Sequence, residues 1–146
     1  EGGLKIFDIP CLGVSGLMAV IIKMRPLYAG QAKTALLAAL SSPYLHPKLA
    51  IAVDEDIDSS RLDQIFWSLT TRVHAIQDVT KIENTRIWSL DNVSEIVPGM
   101  SPMYRIGAKM AIDATKPWGQ RLDQKSRFDR AMPMNFQKVS IDDFIK

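Results

Sequence analysis

Leu17-Met18-Ala19-Val20-Ile21-Ile22-Lys23 and Lys48-Leu49-Ala50-Ile51-Ala52-Val53 are two apolar runs of strand length with almost no polar interruption. A run of this kind, rich in Val and Ile, reads as a strand buried on both faces. Between them, residues 29–40 are dense in Ala, Leu, Lys and Gln, which favour helix. Ala32, Ala35, Leu36, Ala39 and Leu40 fall on one stripe of that helix. Pro26 ends the first strand, and Ser41-Ser42-Pro43 stops the helix, predicted over 29–41. After the second strand, Leu62, Ile65, Phe66, Leu69 and Val73 recur at helical spacing and predict a second helix over 60–71. Ser59 or Ser60 is its expected N-cap. Met110 to Asp113 is a short strand candidate, as are 80–83 and 87–90, and residues 4–9 alternate as a strand does before Pro10. Alternating strands and helices imply a layered α/β fold, a mixed and mostly parallel sheet with helices packed on it. An α+β arrangement is the alternative.

The bulk numbers exclude more than they assign. The chain has 146 residues, 47% hydrophobic and 23% charged, enough for one domain with a real core. A net charge of +2 is too small to point to nucleic acid. No apolar run reaches the length of a membrane span. The single cysteine, Cys11, rules out an internal disulfide and fits a reducing, cytoplasmic setting. The first residues, Glu1-Gly2-Gly3, lack an initiator methionine and any signal-peptide pattern, so an internal cut is expected there. Beyond Pro117 the chain becomes strongly charged. Residues 119–146 are expected to form an arm separate from a 1–118 domain, with a short last helix from Ser140.

Four motifs could carry chemistry. Asp54, Glu55, Asp56 and Asp58 sit at the end of the second strand, where ligands of open sheets tend to bind. A metal-dependent hydrolase site is conceivable there, but capping and turn formation is the favoured reading. Arg72, closing the second helix, is expected to pair with Asp54, Asp56 or Asp78 rather than with a substrate carboxylate. His46 and His74 have no partner spacing that suggests a relay or a metal. Gly107-Ala108-Lys109 reads as a glycine bend that carries a lysine, a compact charge beside approachable backbone that suits a phosphate. Thr115, Lys116 and Pro117 follow as a polar turn. The methionines form no helical stripe, and the apolar residues of 97–103 and 132–136 are expected to serve self-association.

Taken in order, the apolar strand followed by Asp54-Glu55-Asp56-Ile57-Asp58, then Trp67, Leu69, Thr71 and Arg72, then Gly107 through Pro117, closely resembles the C-terminal domain of the UbiD family. These are reversible decarboxylases of aromatic and α,β-unsaturated acids that use prenylated FMN. The resemblance covers roughly residues 20–118. It implies that Lys109 contacts the phosphate of the flavin. It also implies that the flavin, a divalent metal and the catalytic arginine and acids belong to an N-terminal domain absent from this sequence. No segment here resembles that family's E-G-P-x-G-[ED] motif. The implied role is therefore oligomer assembly, active-site closure and a cofactor contact, without turnover by the chain alone. A homo-oligomer, a small unsaturated or aromatic acid substrate and no nucleic-acid or membrane partner complete the expectation. The alternative is a separately encoded, non-catalytic subunit or interaction module of the same fold.

Overall fold

The computed structural model describes residues 5–8 and 17–118. Residues 9–16 and everything predicted beyond residue 118 lie outside the described residues. Six strands, β1 (Lys5–Asp8), β2 (Ala19–Arg25), β3 (Leu49–Asp54), β4 (Val79–Ile87), β5 (Glu95–Ile96) and β6 (Arg105–Ala114), form one sheet with two helices, α1 (Gln31–Leu40) and α2 (Leu62–Arg72). The order is β1-β2-β3-β6-β4, with β5 also on β6. β2, β3 and β6 run parallel, in register from Val20↔Ala50 and Ala50↔Ala111 onward. β1, β4 and β5 flank them antiparallel. The layered α/β expectation therefore stands.

Period-2 alternation divides the core in two. Val20, Ile22 and Met24 with Ala50, Ala52 and Ala111 face α1, whose Ala32, Ala35, Leu36 and Leu40 close that layer. Ile21, Ile51, Val53 and Ala114 face the other way, against Ile57 and Ile65 of the α2 side. Alanines on both sides of the first layer let α1 lie close to the sheet, with Leu36 and Leu40 as the large side chains of the helix face.

Several local expectations change. α1 begins at Gln31 behind Gly30, whose φ of 83° suits glycine. The N-cap of α2 is Arg61, without a side-chain cap, rather than Ser59 or Ser60. Ser60 instead binds Asp58, through its backbone N–H at 3.0 Å and its hydroxyl at 2.6 Å. The helical period of α2 was right, and Ile65, Leu69 and Val73 pack on the core as their spacing predicts, but the stripe is shifted at its other members. Leu62 and Phe66 are 51% and 66% exposed, while Gln64, Ile65, Ser68 and Arg72 are buried. The inward polar groups have local partners: Gln64 Oε1 accepts the Asp58 N–H at 2.8 Å, and the Ser68 hydroxyl donates to the Ile65 carbonyl at 2.7 Å. A helix lying over a polar loop can bury amides and hydroxyls that periodicity alone assigns to solvent.

The strand expected at 80–83 is part of a longer one, β4, with a register shift between Ile82 and Thr85 and Asn84 at φ 54°; of the strand expected at 87–90 only Ile87 belongs to it, and Ser89 and Leu90 lie in a turn. Gly107 is not in a bend. It lies inside β6, opposite Thr85. Its glycine serves close packing instead: a Cβ there would sit 2.3 Å from Ile87 Cδ1, and Ile87 is buried.

Candidate functional site

The parallel strands all end on one edge of the sheet, and the loops leaving them enclose a crevice of about 540 Å³. Its walls come from Tyr28 and Gly30 after β2, Arg72 and His74 at the end of α2, and Asp113 to Trp118 at the exit of β6. This is the carboxyl edge, where open α/β sheets hold ligands.

A charged lattice frames the crevice. Arg72, its side chain fully buried, grips Asp56 with both nitrogens, Nη1 to Oδ1 at 3.0 Å and Nη2 to Oδ2 at 2.6 Å. Nη1 also lies 3.8 Å from Asp54 Oδ2, and the guanidinium carbon 5.0 Å from the centre of the Trp67 ring. Asp54 in turn accepts the backbone N–H of Lys116. The Lys116 ammonium is 3.6 Å from Asp56 Oδ2. Glu55 pairs with Arg25. The acidic run thus ties β2, β3, α2 and the exit of β6 together. Arg72 has two of the three partners that were expected for it. Among the described residues no group of three or more His, Cys, Asp or Glu side chains is placed to hold a metal ion.

Asp113 belongs to this edge. Its Oδ1 accepts both the N–H and the hydroxyl of Thr115, at 3.0 and 2.6 Å, which turns the chain out of β6. Burial pushes its carboxyl above the ordinary value, the charges of Asp78 and Asp54 add to that, and the Thr115 hydrogen bonds oppose it. The sign of the consequence is fixed. In strong acid both folded and unfolded chains are protonated. As pH rises past the ordinary carboxylate value the unfolded chain ionises first, so stability falls until the folded carboxyl also ionises. Asp113→Asn keeps an oxygen for Thr115 and removes the charge. It should melt above the wild type at pH 7, with the gap closing below about pH 4. Paired thermal melts across that range check it, and a gap that does not vary with pH would count against it.

The two histidines are placed apart. His74 lines the crevice, and its backbone N–H donates to Asp78 Oδ2 at 2.7 Å. His46 packs on Trp88, ring centres 4.3 Å apart, away from the crevice.

Lys109 lies five residues before the end of β6, on the α1 face, and only 5% of it is exposed. Its ammonium donates to the carbonyl of Leu40 at 2.6 Å, in the last turn of α1. That turn has no basic residue of its own, so Lys109 supplies the cation that a helix C-terminus favours. Burial lowers the pKa of the amine. Lys109 lines a separate, apolar crevice of about 430 Å³ with Met18, Leu49 and Met110, and not the one at the carboxyl edge. The lysine that does line the carboxyl edge is Lys116, which the sequence reading left unassigned. Its signal was present: it is the second residue past the end of a parallel strand.

The family model of the 3-octaprenyl-4-hydroxybenzoate carboxy-lyase C-terminal domain matches residues 4–114. Among solved structures, vanillic acid decarboxylase of Sedimentibacter hydroxybenzoicus is 32% identical over 91% of this chain and 27% of its own, with a TM-score of 0.68. The 3,4-dihydroxybenzoic acid decarboxylase of Klebsiella pneumoniae is 29% identical over 95% of this chain and 28% of its own, with a TM-score of 0.72. A UbiD-class enzyme of Pelotomaculum thermopropionicum, solved with FMN, shares the fold at a TM-score of 0.74 and 24% identity, over 96% of this chain and 29% of its own. The chain spans less than a third of the length of each of these structures. With the family model matched across the whole described sheet, the chain belongs to the UbiD family, as its C-terminal domain.

Proposed function

We propose that this chain is the C-terminal part of a decarboxylase that removes CO2 reversibly from aromatic or α,β-unsaturated acids with prenylated FMN. In that reading residues 1–118 form the domain and residues 119–146 an arm. The observation that carries the proposal is the family match together with a crevice at the carboxyl edge that is lined by Arg72, Asp113 and Lys116. The solved relatives that act on vanillic and 3,4-dihydroxybenzoic acid support the substrate class. The residues present suit the anionic end of a flavin, with Lys116 on the crevice. When bound, the prenylated flavin supplies the electron sink for loss of CO2. This chain's share is to close the site, exclude water and place positive charge, while the catalytic acids and arginine, with any metal, belong to the N-terminal domain. Exposed apolar side chains along the β5 side, Val93, Ile96, Met100 and Met103, support assembly into an oligomer. The purified chain, given reduced prenylated flavin and a candidate acid, should release no CO2. Turnover by the chain alone would overturn the division of labour.

The cofactor-phosphate contact is proposed for Lys109, on the resemblance of its motif. To make it, the ammonium must exchange the Leu40 carbonyl for a phosphate oxygen. A second reading gives the contact to Lys116, because that side chain is the one on the carboxyl-edge crevice. A charge-assisted hydrogen bond of about 1.5–3 kcal/mol corresponds to roughly ten- to a hundredfold in flavin retention. Lys109→Ala and Lys116→Ala, each in the complete enzyme, separate the two. The variant that loses flavin while its partner retains it names the contact. Equal, small losses from both point to a diffuse basic patch.

A further inference from the structure

β6 is longer than its neighbours can cover. On one side β4 runs beside it from Arg105 to Ile112. On the other side β5 pairs with Arg105 and Ile106, and β3 begins only at Met110. Gly107, Ala108 and Lys109 therefore have no strand beside them there, a gap of about 10 Å at the rise of an extended chain. The apolar crevice of about 430 Å³ lies along this gap, against Ala108. Its floor is a row across four strands, Ala19, Leu49, Met110 and Lys81, which are successive register partners and so share a face. The charges around it are not balanced. Of the lysines that border it, Lys48 is held by Asp91 at 2.8 Å and Lys109 donates to the Leu40 carbonyl. Lys81 is exposed and has neither a hydrogen bond nor an ion pair among the described residues.

We propose that this gap binds a small amphipathic carboxylate, with its aliphatic tail in the crevice and its head on the Lys81 ammonium. One unmatched cation at the rim calls for one negative charge, which favours a carboxylate over a phosphate dianion. The lining is apolar but carries no aromatic ring. Methionines and lysine stems adapt to a flexible chain, so an alkyl tail suits it better than a flat ring held by stacking. The volume falls in the range of small-molecule pockets, roughly 300–1,000 Å³. The proposal goes beyond the decarboxylase reading and does not depend on which lysine meets the flavin.

The test is an NMR titration of the 146-residue chain with octanoate, with octanol as the neutral match and with FMN as the phosphate. Octanoate should shift the backbone amides of Leu49, Ala108 and Met110. Octanol should bind about two- to fivefold more weakly, the worth of an exposed ion pair. Lys81→Gln should lower octanoate affinity by the same factor and leave octanol unchanged. Lys33→Gln, a lysine away from the gap, should alter neither. Octanol that binds as tightly as octanoate, or a Lys81→Gln variant that binds octanoate like the wild type, overturns the proposal. So do octanoate shifts that fall elsewhere in the sheet, or none at all. FMN that moves the same amides and displaces octanoate gives the gap to a phosphate and also overturns it.

Discussion

Arg72→Met should cost the domain about 3–5 kcal/mol of folding stability, the usual result of removing one partner from a buried ion pair. The substitution leaves Asp54, 2% exposed, and Asp56 without the guanidinium that now bridges them. It also removes the cation stacked on Trp67. Since a domain of this size is stable by only about 5–15 kcal/mol, much of the margin would go. In thermal melts the loss should read as a fall of roughly 10–20 °C. Arg72→Lys should recover part of it, because an ammonium restores the charge but not the two-pronged geometry. A loss below about 1 kcal/mol for Arg72→Met would mean that the cost of burying the pair already cancels its attraction.

Leu36→Ala should be nearly as damaging, at about 3–5 kcal/mol, the upper part of the range for such truncations. The cost of a cavity depends on whether neighbours can move in to fill it. Leu36 is 1% exposed, and its layer holds, beside Val20, Ile22, Met24 and Leu40, five alanines that have no side-chain length to offer. The void should therefore persist. Denaturant unfolding would check the size of the loss through the midpoint at unchanged slope. A loss under about 2 kcal/mol would show that α1 settles onto the sheet after all.

What the sequence disclosed, and what it withheld, follows from the range of the interactions involved. The central strands were legible because burial on both faces leaves an unbroken apolar run, visible in 17–23 and 48–53. Helix α1 was legible because its stripe of Ala32, Ala35, Leu36 and Leu40 meets a largely apolar layer. Helix α2 was legible too, with Ile65, Leu69 and Val73 on the core, but the polar part of its inward face at Gln64, Ser68 and Arg72 was not, because those groups are satisfied by partners that only the fold brings near. Gly107 was noticed for the wrong reason. A glycine forced by a neighbour's side chain 20 positions away looks, in one dimension, the same as a glycine in a turn. Lys109 is the extreme case, since its partner Leu40 lies 69 positions back along the chain. Of the carboxylates at 54–58, Asp58 forms a turn as read, none caps α2, and Arg72 pairs with Asp54 and Asp56 as expected. With the start of β6 placed at Met110 instead of Arg105, Lys109 looked like a turn residue beside a ligand rather than a residue inside a strand.

The position of β6 also bears on how the domain is made. It is the last described strand to leave the ribosome, yet it lies between β3 and β4. Until residue 114 has emerged, β4 has no partner. The nascent β1-β2-β3 unit presents the open edge of β3, an apolar strand with nothing beside it. Such an edge is a template for pairing with another chain. Synthesis passes through a stage in which the half-built sheet is adhesive, and that stage ends only when β6 slots in. A chain interrupted before Ala114 would stay there, so translation errors or truncations in this stretch should surface as aggregation and not as a smaller working domain.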